Sequence, residues 1–289
     1  MQNPMLDVAR VRLALRQLDV KPSRAMGQNF LVDANALAAI VDAGEITSQS
    51  LVVEVGPGLG VLTWELVQRA GEVISIELDK RLIARLYDEF APFVNLTLVN
   101  HDILKSDIAH ITGRRPYRVV ANLPYAITSP VLRHFLESDH PPELMVVLVQ
   151  REVAQRICAA PGDMSVLAHA MQIRAIPELV SIVPPEAFMP APAVFSAVLR
   201  MRHRDVPLVP PADERKVMRV IKAGFLHARK QLGNSLSGGL AAHNIRIERD
   251  VAQRILIAAD IDPMRRAEML TIDEWQRVAT GVAAVVDLG

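Results

Sequence analysis

The stretch Leu51-Val52-Val53-Glu54-Val55-Gly56-Pro57-Gly58-Leu59-Gly60 decides the fold class of this chain. A β-rich, largely apolar run leads into three closely spaced glycines, and a helical pattern begins near Val61. Because glycine lacks a Cβ atom, Gly56 and Gly58 let the backbone turn sharply and approach a ligand at the helix N-terminus. The pattern predicts a buried strand, a ligand-binding turn and a helix.

Four further β-rich apolar runs follow, at residues 73–77, 96–99, 118–121 and 144–150, with helical patterns between them. Short continuous apolar runs are typical of strands buried on both faces, and their alternation with helices indicates parallel βαβ units. The sequence therefore predicts an α/β fold with a doubly wound, Rossmann-like sheet. Two later runs, residues 178–183 and 194–201, are expected to form an antiparallel pair at one sheet edge.

A proline-rich stretch at residues 203–213, HRDVPLVPPAD, separates these strands from sequence with helical periodicity. We therefore predict an α/β domain over residues 1–206 and a small all-helical domain over residues 207–289. The chain has 289 residues, of which 51% are hydrophobic and 22% charged, so its composition excludes a disordered protein.

The charge of the chain is balanced, with 32 basic and 32 acidic residues, which argues weakly against a nucleic-acid partner. The distribution is uneven, however, because residues 215–230 contain six basic residues and no acidic one. The single cysteine, Cys158, excludes an intramolecular disulfide and a zinc site built on cysteine pairs. Without a secretory signal or a long apolar run, we expect a cytoplasmic protein with no membrane association and no metal.

The spacing of the glycines and the next acidic residue indicates a nucleoside cofactor. Glu77 ends the second strand, 21 residues after Gly56, where a carboxylate can accept hydrogen bonds from a ribose. The third glycine, Gly60, comes one position too early for the dinucleotide pattern G-x-G-x-x-G, which favours S-adenosylmethionine over NAD. Asp102 follows the third strand and could accept from an adenine amine; a helix N-cap is an equally good interpretation.

The segment Asn122-Leu123-Pro124-Tyr125 follows the fourth strand and carries the predicted chemistry. The exocyclic amine of a nucleobase is a poor nucleophile, because its lone pair is delocalised into the ring. The side-chain oxygen of Asn122 and the carbonyl of Leu123 or Pro124 could hold both N–H hydrogens and localise that lone pair. Tyr125 could stack on the base. In isolation the same four residues would be interpreted as a turn.

The ordered motifs of the chain resemble the ribosomal RNA small subunit methyltransferase A family, the 16S rRNA adenine N6-dimethyltransferases. The resemblance runs from about Ser23 into the C-terminal region. It rests on the following segments: GQNFL from Gly27, EVGPGLG from Glu54, IELD from Ile76, HDIL from His101, NLPY from Asn122, QREVAQRI from Gln150, PPEAFMPAPAVFSAV from Pro184 and ARKQLGNSL from Ala228. It implies a class I S-adenosylmethionine-dependent methyltransferase sheet.

The resemblance also implies roles for individual residues. The cofactor contacts would be Asn29 and Leu31 from an N-terminal lid, Gly56 on the methionine part, Glu77 on the ribose, Asp102 on the adenine amine and Asn122 near the methyl group. Phe188 would stack on the target adenine opposite Tyr125. Without the resemblance, Asn29 and Leu31 would be interpreted as a helix cap and a core leucine, and Phe188 as an apolar plug.

The implied reaction transfers two methyl groups to N6 of each of two adjacent adenosines in the 3′-terminal hairpin loop of 16S rRNA, leaving S-adenosylhomocysteine. The implied partner is the small (30S) ribosomal subunit or its precursor, the enzyme would be monomeric, and the helical domain would bind RNA phosphates. The alternatives are methylation of a large-subunit adenine, an assembly factor without catalysis, and a nicotinamide dehydrogenase. Intact Gly56 and the intact NLPY segment disfavour the assembly factor, and the early Gly60 together with NLPY disfavours the dehydrogenase.

The sequence departs from the family pattern at three places. The loop after Pro161-Gly162 is shortened, Phe195 replaces a residue that is usually small or acidic, and Gly233 replaces a usual basic residue. We expect these changes to weaken contacts with RNA and to leave the cofactor site intact.

Overall fold

A computed structural model of the chain describes residues 3–18 and 29–288. Gly27 and Gln28 of the GQNFL motif lie outside the described residues. The described residues form two compact units. The first contains the described part of Met1–Ala154 together with Pro177–His203. The second contains Gln155–Ile176 and the described part of Arg204–Gly289.

The nine described strands, in chain order, are β1 (Phe30–Leu31), β2 (Leu51–Val55), β3 (Glu72–Glu77), β4 (Leu96–Asn100), β5 (Arg118–Asn122), β6 (Leu144–Gln150), β7 (Ala175–Val183), β8 (Phe188–Met189) and β9 (Ser196–His203). Seven of them form one sheet in the order β4-β3-β2-β5-β6-β9-β7. Strands β4, β3, β2, β5 and β6 are parallel neighbours, and β9 is antiparallel to β6. The predicted α/β class is confirmed, and the first five predicted strands agree with the structure to within one residue.

The twelve described α-helices are α1 (Val8–Gln17), α2 (Ala34–Ala43), α3 (Val61–Val67), α4 (Lys80–Glu89), α5 (Ile108–Ile111), α6 (Thr128–Leu136), α7 (Arg151–Ile157), α8 (Val166–Gln172), α9 (Pro211–Phe225), α10 (Leu232–Ala242), α11 (Arg249–Ala258) and α12 (Ile272–Ala283). In the α/β unit, α2 packs on β6 and β9, α3 on β3, and α4 on β4. Asp33 and Asp79 cap α2 and α4 through their side chains, which fixes where each helix begins.

The glycine turn between β2 and α3 needs glycine for two separate reasons. Gly60 is in the left-handed conformation, with φ of +87°, which residues with a Cβ rarely adopt. A Cβ at this position would also lie 2.5 Å from Cε2 of Phe90, which is packed in the core. The turn therefore brings the start of α3 against the Phe90 ring as well as shaping the edge of the sheet.

A second, two-stranded ladder was not predicted from the sequence. Strand β1 pairs antiparallel with β8, so that Leu31 lies opposite Phe188. The backbone N–H of Val32 extends the pairing by donating to the carbonyl of Ala187, at 2.8 Å. This ladder fixes the chain that leads into α2 at the same edge of the sheet as the glycine turn, and it positions Asn29 for the contact described below.

The helical unit has its own apolar core, centred on the fully buried Trp275. The stretch of residues 155–176, which we had predicted to belong to the α/β domain, clusters with this unit instead. Within the unit, the backbone N–H groups of Gly162 and Met164 both donate to the carbonyl of Glu268, so the shortened loop is held by main-chain bonds. The start of the main helical segment at Arg204 lies close to the predicted boundary after residue 206.

Gly233 has a packing role that its sequence position did not reveal. It is buried at the start of α10, and a Cβ there would lie 2.7 Å from Cβ of Pro263 and 3.1 Å from the Pro263 carbonyl oxygen. Its N–H donates to that same carbonyl, at 2.8 Å. A long basic side chain could not occupy this position unless the Pro263 segment moved.

Candidate active site

A cavity of about 460 Å³ opens at the carboxyl ends of β2, β3 and β5. This is the edge at which ligands bind in open α/β sheets, and the volume lies in the range of small-ligand sites. Its lining includes all but one of the site residues predicted from the sequence: Asn29, Leu31, Gly56, Gly58, Glu77, Asp102, Asn122, Leu123, Pro124 and Tyr125. The structure therefore brings together residues from five segments of the α/β unit.

Glu77 is held in place by the glycine turn. Its carboxylate is 8% exposed, and it accepts hydrogen bonds from the backbone N–H of Gly58, at 3.2 Å, and of Asp79, at 3.0 Å. Burial raises the pKa of Glu77, and the hydrogen bonds from the backbone oppose that shift. Because a carboxylate has about four acceptor positions, Glu77 keeps acceptor capacity for a ligand hydroxyl group.

Asp102 caps a short turn and also lines the cavity. Its Oδ1 accepts from the N–H of Leu104, at 3.0 Å, and so caps the short turn at residues 103–105. The same side chain lines the cavity, and its Oδ2 lies 3.7 Å from Nζ of Lys105. The cap orients the carboxylate at the cavity and leaves it acceptor capacity for a ligand amine.

Asn122 is oriented by a hydrogen bond from a distant part of the chain. Its Nδ2 donates to the backbone carbonyl of Asn29, at 3.2 Å, across 93 residues of sequence. The bond turns one N–H of the amide towards Asn29 and leaves the oxygen Oδ1 as an acceptor. The ladder of β1 and β8 thus determines which end of the Asn122 amide can face a substrate.

The two carbonyls after Asn122 differ in what they contact. The Pro124 carbonyl accepts from the N–H of Ile127, at 3.1 Å, and from Oγ1 of Thr128, at 3.3 Å. Since a carbonyl oxygen has two lone pairs, these bonds fill its acceptor capacity. The Leu123 carbonyl is therefore the better placed of the two to accept from a ligand.

Tyr125 is half-buried, and its hydroxyl lies 2.6 Å from Oγ of the fully buried Ser196. Burial raises the pKa of Tyr125, and the hydrogen bond to Ser196 opposes the shift, so the phenol is neutral at ordinary pH. The bond to β9 restricts rotation of the ring, which leaves a face of fixed orientation at the cavity.

Phe188 lies elsewhere. It is 4% exposed, pairs with Leu31 in the two-stranded ladder, and packs in the apolar core of the α/β unit rather than in the cavity wall. Its stacking role stays a prediction, and that role requires its ring to come out of the core when substrate binds.

Glu54 also lines the cavity, and it was not among the site residues predicted from the sequence. It is 1% exposed, and its Oε2 accepts from Oγ1 of Thr63, at 2.8 Å, and from Oγ of Ser75, at 2.6 Å. Among the described residues, none donates to Oε1. Burial raises the pKa of Glu54 to about 7, and repulsion from Glu77 adds to the increase. An acidic residue one position before the end of a buried strand was the signal that could have revealed it.

These residues fit a nucleoside that carries a cationic amino-acid tail, as S-adenosylmethionine does. Glu77 can accept from ribose hydroxyls and Asp102 from an adenine amine, while the buried Oε1 of Glu54 can accept from an N–H group of the tail. The positive φ angles of Gly56 and Gly58, +66° and +59°, shape the turn between these acceptors.

Solved structures with the same fold include a 23S rRNA methyltransferase and a dimethyladenosine transferase. The 23S rRNA methyltransferase ErmE aligns with a TM-score of 0.67 and 27% identity, over 88% of this chain and 99% of that chain. A dimethyladenosine transferase from Plasmodium falciparum aligns with a TM-score of 0.72 over 86% of this chain and 95% of that chain; at 23% identity it shows the fold alone.

Sequence comparison identifies the family. A sequence model described as "Ribosomal RNA adenine dimethylase" matches residues 20–277. Proteins named ribosomal RNA small subunit methyltransferase A are similar over most of their length: one from Dehalococcoides mccartyi is 40% identical over 93% of this chain and 91% of its own. One from Streptococcus pneumoniae is 43% identical over 89% of this chain and 90% of its own. The chain therefore belongs to the ribosomal RNA adenine dimethylase family and is an S-adenosylmethionine-dependent rRNA methyltransferase.

Proposed function

We propose that this enzyme dimethylates N6 of two adjacent adenosines in the 3′-terminal hairpin loop of 16S rRNA, within the small ribosomal subunit or its precursor. The names of the relatives at about 40% identity support the small-subunit substrate. The observation that carries the chemistry is the bond from Asn122 to the Asn29 carbonyl, which orients the amide oxygen for an adenine amine. Through this modification the enzyme would take part in small-subunit biogenesis.

Asn122 and Leu123 provide the two acceptors that the reaction needs. The Oδ1 of Asn122 and the main-chain carbonyl of Leu123 each accept one N–H of the target amine, so its nitrogen becomes pyramidal and its lone pair points at the methyl carbon. When bound, S-adenosylmethionine supplies an electrophilic methyl group on a sulfonium. The N–C bond forms as the S–C bond breaks, and the amine then releases its proton to solvent, so no strong general base is required.

Tyr125 holds the base. Its hydroxyl is anchored by Ser196, at 2.6 Å, so the ring can stack on an unpaired adenine with little loss of rotational freedom. Phe188 would complete the stack from the opposite side after leaving the core. The site must also readmit a monomethylated amine, because each adenosine receives two methyl groups.

The helical unit would anchor the ribosomal RNA through its basic segment. Four of the six basic residues there are exposed: Arg215, Lys222, Arg229 and Lys230. Arg219 instead donates to the carbonyls of Leu288 and His243, so it holds the unit together. Exposed cations contact phosphates without reading sequence, and such contacts weaken steeply with salt.

We place the enzyme in the cytoplasm as a monomer, where assembling ribosomal subunits are found. Among the described residues, the longest apolar helices fall short of what a bilayer crossing requires. Size-exclusion chromatography with light scattering measures the oligomeric state, and a dimer mass would contradict this part of the proposal.

One experiment tests the substrate. The protein is incubated with labelled S-adenosylmethionine and undermethylated small or large subunits, and the product nucleosides are mapped by mass spectrometry. We expect dimethyladenosine in the small-subunit RNA. Label in large-subunit RNA alone would support the activity for which ErmE is named, and label in neither would support an assembly factor.

Asn122→Ala tests the chemistry in the same assay. We expect it to bind S-adenosylmethionine like the wild type and to lose about a hundredfold or more in turnover, the usual effect of removing one preorganised polar group. Asn234→Ala replaces an exposed asparagine of the helical unit and serves as the control, whose turnover should match that of the wild type. Unchanged turnover of Asn122→Ala would contradict the lone-pair mechanism.

A further inference from the structure

We propose that Phe195 and Arg151 form a binding site for an unpaired nucleotide that flanks the target adenosine in the substrate RNA. The inference deepens the proposed function and rests on it, because it concerns how the same RNA is held. We had expected Phe195, as a departure from the family pattern, to weaken RNA contacts; the structure indicates an added contact.

The strand register places this pair beside the catalytic segment. Ser196, the first residue of β9, lies opposite Gln150, the last residue of β6. Asn122, the last residue of β5, lies opposite Leu148 of the same strand β6. Phe195 and Arg151 continue directly from these ends at the sheet edge that holds Asn122. Two strand spacings across the sheet and three residues along it put Phe195 about 14 Å from Asn122.

The pair is held rigidly to Tyr125. The N–H of Arg151 donates to the carbonyl of Phe195, at 2.9 Å, which fixes the two backbones together. The next residue, Ser196, is fully buried and lies 2.6 Å from the Tyr125 hydroxyl through its Oγ. A base bound at Phe195 would therefore have a fixed position relative to a base stacked on Tyr125.

The exposure of Phe195 is unusual within this chain. All seven phenylalanines lie in the described residues, and Phe195 alone is exposed, at 42%. Leaving a phenylalanine ring in water forgoes the favourable free energy of burial. Proteins stack single-stranded bases on exposed aromatic rings. The exposed ring of Phe195, beside the proposed site of RNA methylation, could serve in this way.

Arg151 gives the surface its preference for a nucleotide over an apolar group. Its Cζ lies 5.1 Å from the centroid of the Phe195 ring, in cation–π geometry. The guanidinium is exposed, so its donors can also reach the phosphate beside a stacked base. The Phe195 ring offers a stacking face for any base, and the Arg151 guanidinium offers a contact for the phosphate. The site would therefore bind an unpaired nucleotide whichever base it carries.

The test compares Phe195→Leu with the wild type on undermethylated small subunits. Loss of one stacked base weakens binding by about fivefold to about a hundredfold. We expect KM for the subunits to rise by that factor with kcat nearly unchanged, and S-adenosylmethionine affinity to stay at the wild-type value. Phe195→Tyr should restore KM, and Tyr87→Leu, which removes an exposed aromatic ring from α4, should match the wild type.

A second measurement identifies the nucleotide. Synthetic 3′-terminal hairpin RNAs carry one abasic site at each loop position next to the target, and their affinities are measured with S-adenosylhomocysteine present. One abasic position should weaken wild-type binding, and Phe195→Leu should no longer distinguish that RNA from the intact hairpin. Arg151→Gln should keep the discrimination and lower the salt slope of binding by about 1.

The two proposals fail in different ways. If wild-type protein leaves small subunits unmethylated, the proposed function is wrong. If it methylates them and Phe195→Leu has the wild-type KM, the nucleotide site is wrong.

Discussion

Replacement of the buried Glu54 by glutamine should make the protein more stable at alkaline pH. Burial raises the pKa of Glu54 from 4.5 to about 7 in the folded protein. At a pH below the pKa of Glu54 in the unfolded chain, the carboxyl is protonated in both the folded and the unfolded state. No charge is then buried on folding, so burial of the group does not destabilise the folded state. As pH rises through the folded pKa, the buried group must ionise, and the stability associated with its bound proton is lost.

The magnitude follows from the size of the shift. Each pKa unit corresponds to about 1.4 kcal/mol, so the free energy of unfolding falls by about 2.5 kcal/mol between pH 5 and pH 8 through this group alone. Glutamine cannot ionise, and its amide oxygen can still accept from Thr63 and Ser75, whose hydroxyls donate to Oε2 in the wild type. The variant should lose this part of the pH dependence and keep its folded structure.

Urea unfolding at pH 5, 6, 7 and 8, followed by circular dichroism and tryptophan fluorescence, measures the effect. Trp64 belongs to the unit that contains Glu54, so its fluorescence reports the unfolding of that unit. Trp275 belongs to the other unit and contributes the same fluorescence signal in the wild type and in Glu54→Gln. Glu152→Gln removes one charge from an exposed position and serves as the control. Parallel pH profiles of the wild type and Glu54→Gln would refute the argument, because they would show that Glu54 titrates alike in the folded and unfolded states.

Three further predictions concern packing and RNA binding. Gly60→Ala should lower the free energy of unfolding by about 1–3 kcal/mol, because the added Cβ meets Phe90 at 2.5 Å and φ is positive; thermal denaturation checks this. Gly233→Lys, which introduces the family's usual basic residue, should lower the thermal midpoint through its contact with Pro263, and improved RNA binding at unchanged stability would contradict the packing argument. Neutralising three exposed basic residues together should lower the salt slope of small-subunit binding by about 2–3: Lys222, Arg229 and Lys230. The matched control neutralises three ion-paired arginines of the same unit and should change the slope less: Arg254, Arg266 and Arg277.

The position of Asn122 illustrates how the fold and the chemistry depend on each other. Its place at the end of β5 follows from an apolar run that any reader of the sequence can identify. The orientation of its amide depends on the Asn29 carbonyl, which the β1–β8 ladder brings from 93 residues away. A hydrogen bond over that separation leaves no periodic signal in the sequence.

The amino-acid sequence by itself determined the strands, the glycine turn and the place of the Asn122–Tyr125 segment, because each depends on residues that are neighbours in the chain. Apolar runs place β2 to β6 to within one residue, and the spacing from Gly56 to Glu77 follows from one βαβ unit. Only the tertiary structure decided which side chains are buried. It raised the pKa of Glu54, packed Phe188 in the core and left Phe195 exposed, since burial and dielectric environment depend on segments that meet only after folding.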